Sequence, residues 1–535
     1  VSGVLMDKDT GEKFLVNGKP VTAEKEFVAE KENGTVTLEF TFDGSSLENK
    51  TLVVFEDLYH KGKHVGTHTD INDEDQTVRY PKIRTSAIDK ETQFNESNAD
   101  NDVTIVDTVS CWNLTEGNTY TIKGKLMDKA TGEPILVNGK EVVSEKTFVA
   151  SRRDGEVDLE FKFDGTSLNG KSTVVFEDLF RDGKQLATHS DLNDNAQTTH
   201  LPKIATKAYD KDSQIDEAIA KKETTIIDEV SYENLTNGVE YTVKGTLMDK
   251  ATGEPLLVNG EEVHAEKTFI AGTEGTTEEP KDRVSGKVLL EFTFDSSALE
   301  GQDIVVFEEM YREGKEVAFH TDITDGNQTV KFPKLRTTAV DGETNLDEGI
   351  GGSSEQKVVD TVSYWNLKPG TTYKIKGILM DKETGKPFLA GENEDQEVTV
   401  EKEFTPETAD GTIDLEFVFD GIYTASRTVV AFEDLYKEDH HVATHTDIND
   451  EDQDVKYPDI KTHALDKENG LYESVADESV TIVDTVSYTN LTVGNTYTIT
   501  GKLMDKETGE PLLVDGQEVT ASKEFTPEEI EGSVD

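Results

Sequence analysis

Asp158-Leu159-Glu160-Phe161-Lys162-Phe163 alternates charged and apolar side chains with a period of two. Successive side chains of a strand point to opposite faces, so Leu159, Phe161 and Phe163 share one face and the charges share the other. Leu38–Phe42 and Leu415–Phe419 alternate in the same way. Tyr120-Thr121-Ile122-Lys123-Gly124-Lys125-Leu126 reads as another strand, rich in Thr and β-branched residues. Asn17-Gly18, Asn138-Gly139 and Asn259-Gly260 are hairpin turns. No stretch carries a helical period. About seven short strands in each unit of the chain predict an all-β fold, an immunoglobulin-like β-sandwich.

These units are repeats. G-x-L-M-D-K occurs five times, ending at Lys8, Lys129, Lys250, Lys382 and Lys506. V-[VA]-F-E-[DE]-[LM]-[YF] runs Val53–Tyr59, Val174–Phe180, Val305–Tyr311 and Val430–Tyr436. H-[TS]-D-[IL]-x-D-x-x-Q runs His68–Gln76, His189–Gln197, His320–Gln328 and His445–Gln453. D-[TE]-V-S-[YCW]-x-N-L starts at Asp107, Asp228, Asp360 and Asp484. The glutamines are 121, 131 and 125 residues apart (197−76, 328−197, 453−328). Solenoid repeats are roughly 20–50 residues long. This period instead fits a string of whole domains.

The expected organisation is a truncated repeat over 1–84, complete repeats over 85–204, 205–335 and 336–461, and a second truncated repeat over 462–535. Repeat one enters at G-V-L-M-D-K. Repeat five stops before its own F-E and H-x-D phrases. The array therefore reads as a slice of a longer one. The boundary phrases around Pro81, Pro202, Pro333 and Pro458 hold no long Gly/Ser linker, which favours an extended, fairly stiff rod.

Composition sets bounds on partners. The 535 residues carry 54 Lys+Arg against 110 Asp+Glu, a net charge of −56. That charge argues against nucleic acid and anionic membrane surfaces. One Cys excludes an internal disulfide framework and a Cys-based zinc site. No apolar run approaches the ~20 residues of a membrane helix, so no membrane insertion is expected. Val1-Ser2-Gly3-Val4 is neither a signal peptide nor a natural start. A content of 34% hydrophobic residues with high net charge raises the question of disorder. The repeated strand patterns answer it, since half of each strand faces water.

The unusual residues are polar ones at core positions. Glu177 shares a face with Val175 and Leu179, and Asp128 shares one with Leu126. A buried carboxylate protonates or finds a partner. Each Glu precedes its Gln by 20 residues (76−56, 197−177, 328−308, 453−433), and each His precedes it by 8. In repeats two, four and five the Thr of D-T-V precedes the Asp of L-M-D-K by 20 (128−108, 381−361, 505−485). Loops elsewhere differ by ten residues. Thr, His and a carboxylate are the parts of a nucleophile and its base. No G-x-S-x-G elbow accompanies them, which argues against a hydrolase. The Gln carboxamide is an internal electrophile. Attack by the Thr oxygen, with His taking the proton and an Asp/Glu pair polarising the carbonyl, would expel ammonia and leave an ester. Fixed proximity in a dry interior would drive it.

On these motifs the chain resembles the VaFE repeats of Gram-positive surface adhesins, the Thr–Gln ester-bond domains. Val430-Ala431-Phe432-Glu433 is the name phrase. The resemblance implies immunoglobulin-like domains, each with one self-formed intramolecular ester, in a cell-wall-anchored stalk. It implies no enzyme activity beyond this single-turnover autocatalysis, no cofactor and no metal. A host-cell or matrix receptor would be met through a domain outside this chain. Carried over residue by residue, it implies cross-links from Thr108 to Gln197 and from Thr361 to Gln453. His189, Glu177 and Asp128 would catalyse the first, and His445, Glu433 and Asp381 the second. Repeat three has Glu229 at the Thr position beside Asp249, Glu308, His320 and Gln328, so no ester is expected there. Its insertion, Gly272–Gly286, also sets it apart. Repeat one keeps Asp7, Glu56, His68 and Gln76. Repeat five keeps Thr485 and Asp505.

The alternative is a calcium-stiffened repeat. Asp70-Ile71-Asn72-Asp73-Glu74-Asp75 has oxygen ligands at alternate positions, but an EF-hand needs Gly sixth and Glu twelfth. Cys111, Trp112 and Trp365 read as packing residues, His440 and His441 as solvated, and His264 and His463 as unpatterned.

Overall fold

The computed structural model describes residues 1–272, 282–391 and 394–535. No α-helix occurs among them. Repeat two shows the plan. Its opening strand, Lys82–Asp89, pairs with the second strand, Val103–Trp112, which also pairs with Gly155–Phe163. The facing sheet has the order Val143–Val149, Thr119–Asp128, Ser172–Arg181, Lys184–His189. The short strand Thr198–His200 joins the start of Ser172–Arg181. Every named pair is antiparallel, and the two sheets make the expected immunoglobulin-like sandwich.

The alternation read from the sequence determines which side chains meet. Leu159, Phe161 and Phe163 are buried, and Glu160 and Lys162 are exposed. They pack with Ile105, Val109, Ile122, Leu126, Val175 and Leu179. Repeats three and four build separate cores of the same kind. Burying such a side chain contributes about 1.5–3 kcal/mol. Asn138 and Gly139 both have positive φ, 52° and 76°. That is the two-residue hairpin turn its Asn-Gly dipeptide favours, and it joins Leu136–Val137 to Lys140–Glu141.

Three expectations changed. Leu38–Phe42 forms no strand. The chain holds no counterpart of Val103–Trp112 in repeat one, and a strand without a ladder partner leaves its backbone groups unpaired. In repeat three the Gly272–Gly286 insertion partly extends a hairpin, with Thr224–Thr236 paired to Arg283–Phe294. Residues 273–281 lie outside the described residues. His441, read as solvated, stacks on Tyr436 at 5.0 Å and pairs with Asp434 at 2.8 Å.

The phrases around each Pro are tight links. Only Tyr80 and Pro81 separate Thr77–Arg79 from Lys82–Asp89. The opening strand of one repeat thus follows directly on the last strand of the repeat before it.

Candidate functional site

In repeat two the second strand buries Val103, Ile105, Asp107, Val109 and Cys111. Asp107 therefore points into the core and Thr108 points out. The opening strand buries Ile83, Thr85 and Ala87, which brings Thr85 inward. From the facing sheet comes Glu177, fully buried and in register with both Gly124 and His189. Gly124 has a packing reason: a Cβ there would lie 2.5 Å from Phe161. Gln197 is fully buried just before the last strand. Its segment is tied to the opening strand by Ala87 N–H donating to Ala196 O at 2.8 Å.

Gln197 Nε2 donates to Glu177 Oε2 and to Val175 O, both at 2.8 Å. Its carbonyl oxygen Oε1 is buried with no standard partner. Thr85 Oγ1, both Asp107 oxygens, Glu177 Oε1 and His189 Nδ1 are orphaned as well. These groups adjoin: Asp107 and Glu177 lie against each other and against Thr85. Two charged carboxylates supply no donor. Burial and then the adjacent Asp107 charge push Glu177 far up. Burial also raises Asp107. The pair accordingly holds a shared proton at neutral pH. His189 Nε2 is held by Asp194 Oδ2 at 3.2 Å. Burial lowers the imidazole pKa, which favours the neutral ring, and Nδ1 faces Glu177 Oε2 at 4.0 Å.

The same orphans recur in the other complete repeats. In repeat three they are Thr206 Oγ1, Asp228, Glu308 Oε1, His320 Nδ1 and Gln328 Oε1. In repeat four they are Thr337 Oγ1, Asp360, Glu433 Oε1, His445 Nδ1 and Gln453 Oε1. Gln328 Nε2 donates to Glu308 at 2.6 Å, and Gln453 Nε2 donates to Glu433 at 3.2 Å. His320 and His445 are held by Asp325 and Asp450 at 3.4 and 3.2 Å. Burial, with the facing Asp228 or Asp360, raises Glu308 and Glu433 well above the usual range. In repeat one Gln76 donates to Glu56 at 2.6 Å, and His68 meets Asp73 at 3.0 Å. Repeat five supplies Thr462 and Asp484 on its first two strands.

The structure thus gathers Glu, His and Gln but separates them from the predicted Thr and Asp. Thr108, Thr361 and Thr485 face outward and donate to Asp158, Asp414 and Asp535 at 2.8, 2.8 and 2.7 Å. Glu229, read as a lost nucleophile, occupies that outer position and pairs with Lys287 at 2.5 Å. Asp128 and Asp381 close turns instead. Asp128 Oδ1 accepts from Ala130 N and Thr131 N, and Asp381 Oδ1 from Thr384 N. Asp7, Asp249 and Asp505 do the same. The inward-facing threonines carry a sequence signal of their own. Thr85, Thr206, Thr337 and Thr462 each follow the preceding Gln by nine residues (85−76, 206−197, 337−328, 462−453). In the acidic phrase of repeat one, Asp70 and Asp73 cap the backbone N–H groups of Asn72 and Asp75 at 2.9 Å.

A family model described as "T-Q ester bond containing domain" matches residues 1–80, 81–201, 202–332, 333–457 and 458–535. The chain belongs to this family. The last four matches open ahead of the strands that carry Thr85, Thr206, Thr337 and Thr462, so each such strand belongs to the repeat it starts. Among solved structures, an adhesin of Mobiluncus mulieris with intramolecular disulfide, isopeptide and ester bond cross-links is 15% identical. It covers 53% of this chain and 92% of its own, at a TM-score of 0.23. The C-terminal domain of the Streptococcus agalactiae AgI/II polypeptide BspA is 9% identical, covering 44% and 97%, at a TM-score of 0.24. No curated protein matches.

Proposed function

We propose that repeats two, three and four each form one ester, Thr85–Gln197, Thr206–Gln328 and Thr337–Gln453. The observation that carries this reading is the set of orphaned groups repeated in all three. His189 accepts the Thr85 hydroxyl proton as Oγ1 attacks Gln197 Cδ. The protonated Glu177/Asp107 pair donates to the carbonyl oxygen, where negative charge develops. The Cδ–N bond then breaks. The nitrogen leaves as ammonia, carrying the proton from His189, and the carbonyl reforms. Atoms balance: hydroxyl plus carboxamide give ester plus ammonia. Asp194 is a positioning residue that holds the imidazole. Burial keeps water from the ester.

The cross-linked repeats serve as the stalk of a cell-wall-anchored adhesin on a Gram-positive bacterium, with a receptor bound elsewhere in the protein. The ester closes 112, 122 and 116 residues (197−85, 328−206, 453−337). Chain-entropy reasoning derived for disulfides puts such closure at about 4–5 kcal/mol. Tension applied to the ends then passes through the ester rather than the sandwich.

Intact-mass measurement tests the reading. The expected mass is short by one ammonia for each of repeats two, three and four. Thr206→Ala restores one ammonia, and Thr108→Ala restores none. A full, uncorrected mass would end the proposal.

A further inference from the structure

Outside the ester site, the chain holds buried carboxylates that the chemistry does not use. Glu96 belongs to repeat two and is fully buried, yet its partners are in repeat three. Tyr241 Oη donates to it at 2.7 Å, Thr236 N–H at 3.1 Å, Arg283 at 2.8 Å and Arg312 at 3.1 Å. Glu217 of repeat three is likewise fully buried, among residues of repeat four. Tyr373 Oη donates to it at 2.9 Å and Lys437 Nζ at 2.8 Å. Glu348 of repeat four accepts from Thr492 N–H at 3.2 Å and from the Tyr497 hydroxyl of repeat five.

One local device presents all three. Asp89 Oδ1 caps Glu91 N and Thr92 N, and Thr92 Oγ1 donates to Glu96 O at 2.6 Å. Asp210, Ser213 and Glu217 repeat this, with Ser213 Oγ donating to Glu217 O at 2.8 Å. Asp341, Thr344 and Glu348 repeat it again, at 2.6 Å. The shared pattern is D-x-x-[TS]-x-x-x-E. A loop braced in this way holds its Glu forward in one orientation.

The joint has a second contact, made by the Asn of the N-L phrase. Asn113, Asn234, Asn366 and Asn490 all have left-handed φ, between 61° and 65°. Their amides donate back to Lys50 O, Lys171 O, Gln302 O and Arg427 O of the preceding repeat, at 2.7, 2.8, 2.9 and 2.7 Å. At the joints that follow repeats two, three and four, loop carboxylate and amide anchor thus bind from opposite directions. Packing alone does not demand either residue; a buried carboxylate is costly unless it is bonded, and here the bonds come from the neighbouring domain.

We propose that the braced Glu loop and the Tyr-lined recess are a plug and socket. Each repeat's partner surface is the socket of the next repeat, and the pair locks successive repeats at one fixed angle. The array then resists bending at its joints as well as extension within its domains. The ester stiffens each unit, and the plug sets the orientation between units. This inference does not depend on the ester chemistry.

Spin labels report the joint directly in the full chain. With Cys111→Ser as background, Lys267→Cys and Glu403→Cys place labels on exposed strand positions of repeats three and four. Double electron–electron resonance should give a single narrow distance distribution. Glu217→Ala should broaden it at least twofold. Tyr373→Phe, which deletes one hydroxyl, should broaden it to a lesser degree. A label pair across the joint of repeats two and three, Lys146→Cys with Lys267→Cys, should stay narrow in both variants. The intact mass should not change beyond the substitutions, which separates this test from that of the ester. Circular dichroism melts check folding, and if Glu217→Ala does not fold, Tyr373→Phe decides. A wild-type distribution as broad as the variants', or variants as narrow as wild type, overturns the proposal.

Discussion

At the scale of single residues, neighbours in sequence have opposite fates. Asp107 and Thr108 are adjacent, yet one is sealed beside Glu177 and the other lies on the outer face with Asp158. Glu177→Gln removes the shared proton while keeping the shape. It should slow ammonia loss at repeat two by about 100-fold or more, the usual cost of deleting a donor to a developing oxyanion. Time-resolved intact mass on freshly folded protein reads that rate, and Asp107→Asn should act in the same direction. His200 offers a pH prediction. Burial and then the Arg283 charge push its pKa down to about 3. The unfolded imidazole titrates near ~6.5, so between these values the unfolded state binds the extra proton. The contribution of neutral His200 is whole above pH ~6.5 and is lost as pH falls, by up to about 1.4 kcal/mol per unit. His200→Gln should flatten this part of the stability profile, measured as urea midpoints between pH 7 and pH 4.

At the scale of elements, strand parity decides the site. Val103, Ile105 and Val109 mark the buried face of the second strand, and Asp107 falls on it. Constant spacing cannot distinguish Asp107 from Thr108, because adjacent residues share every interval. Parity can. The same parity places Thr85 between Ile83 and Ala87. The strand Thr119–Asp128 passes so close to Phe161 and Leu159 that only Gly fits at position 124. Gly124→Ala should destabilise repeat two by about 1–3 kcal/mol through overpacking. Calorimetry should show one lowered transition, with the transitions of repeats three and four unmoved because their cores are separate.

At the scale of the whole molecule, repeat three becomes an ordinary member of the array. Its Glu229 stands on the outer face, while Thr206, Asp228, Glu308, His320 and Gln328 are gathered inside. Single-molecule pulling should therefore find no long extension from any of the three complete repeats. In Thr206→Ala, repeat three alone should release its 122-residue loop (328−206). At ~3.4 Å per residue that is an added length of about 400 Å. The charge of −56 fits the same picture. Most acids are solvated on the sandwich surfaces, and a few in each complete repeat are buried, among them the Asp/Glu pair beside the Gln.

By itself the sequence determined the number of repeats, the all-β class and the linkage of Glu, His and Gln. Period-two alternation and hairpin turns are local properties, and those three residues follow one another at short, constant intervals, Glu and His on paired strands and Gln just before the next strand. Which Thr and which Asp lie against Glu177 depends on how the two sheets stack. Thr85 and Gln197 are separated by 112 residues (197−85) and both lie against Glu177, because the opening strand closes the sandwich beside the last one. The joints were equally hidden, since Glu96 and Tyr241 are 145 residues apart and belong to different domains. The nine-residue interval from Gln to Thr and the D-x-x-[TS]-x-x-x-E phrase mark these residues in the sequence, but the partners they meet depend on how sheets stack and how domains abut.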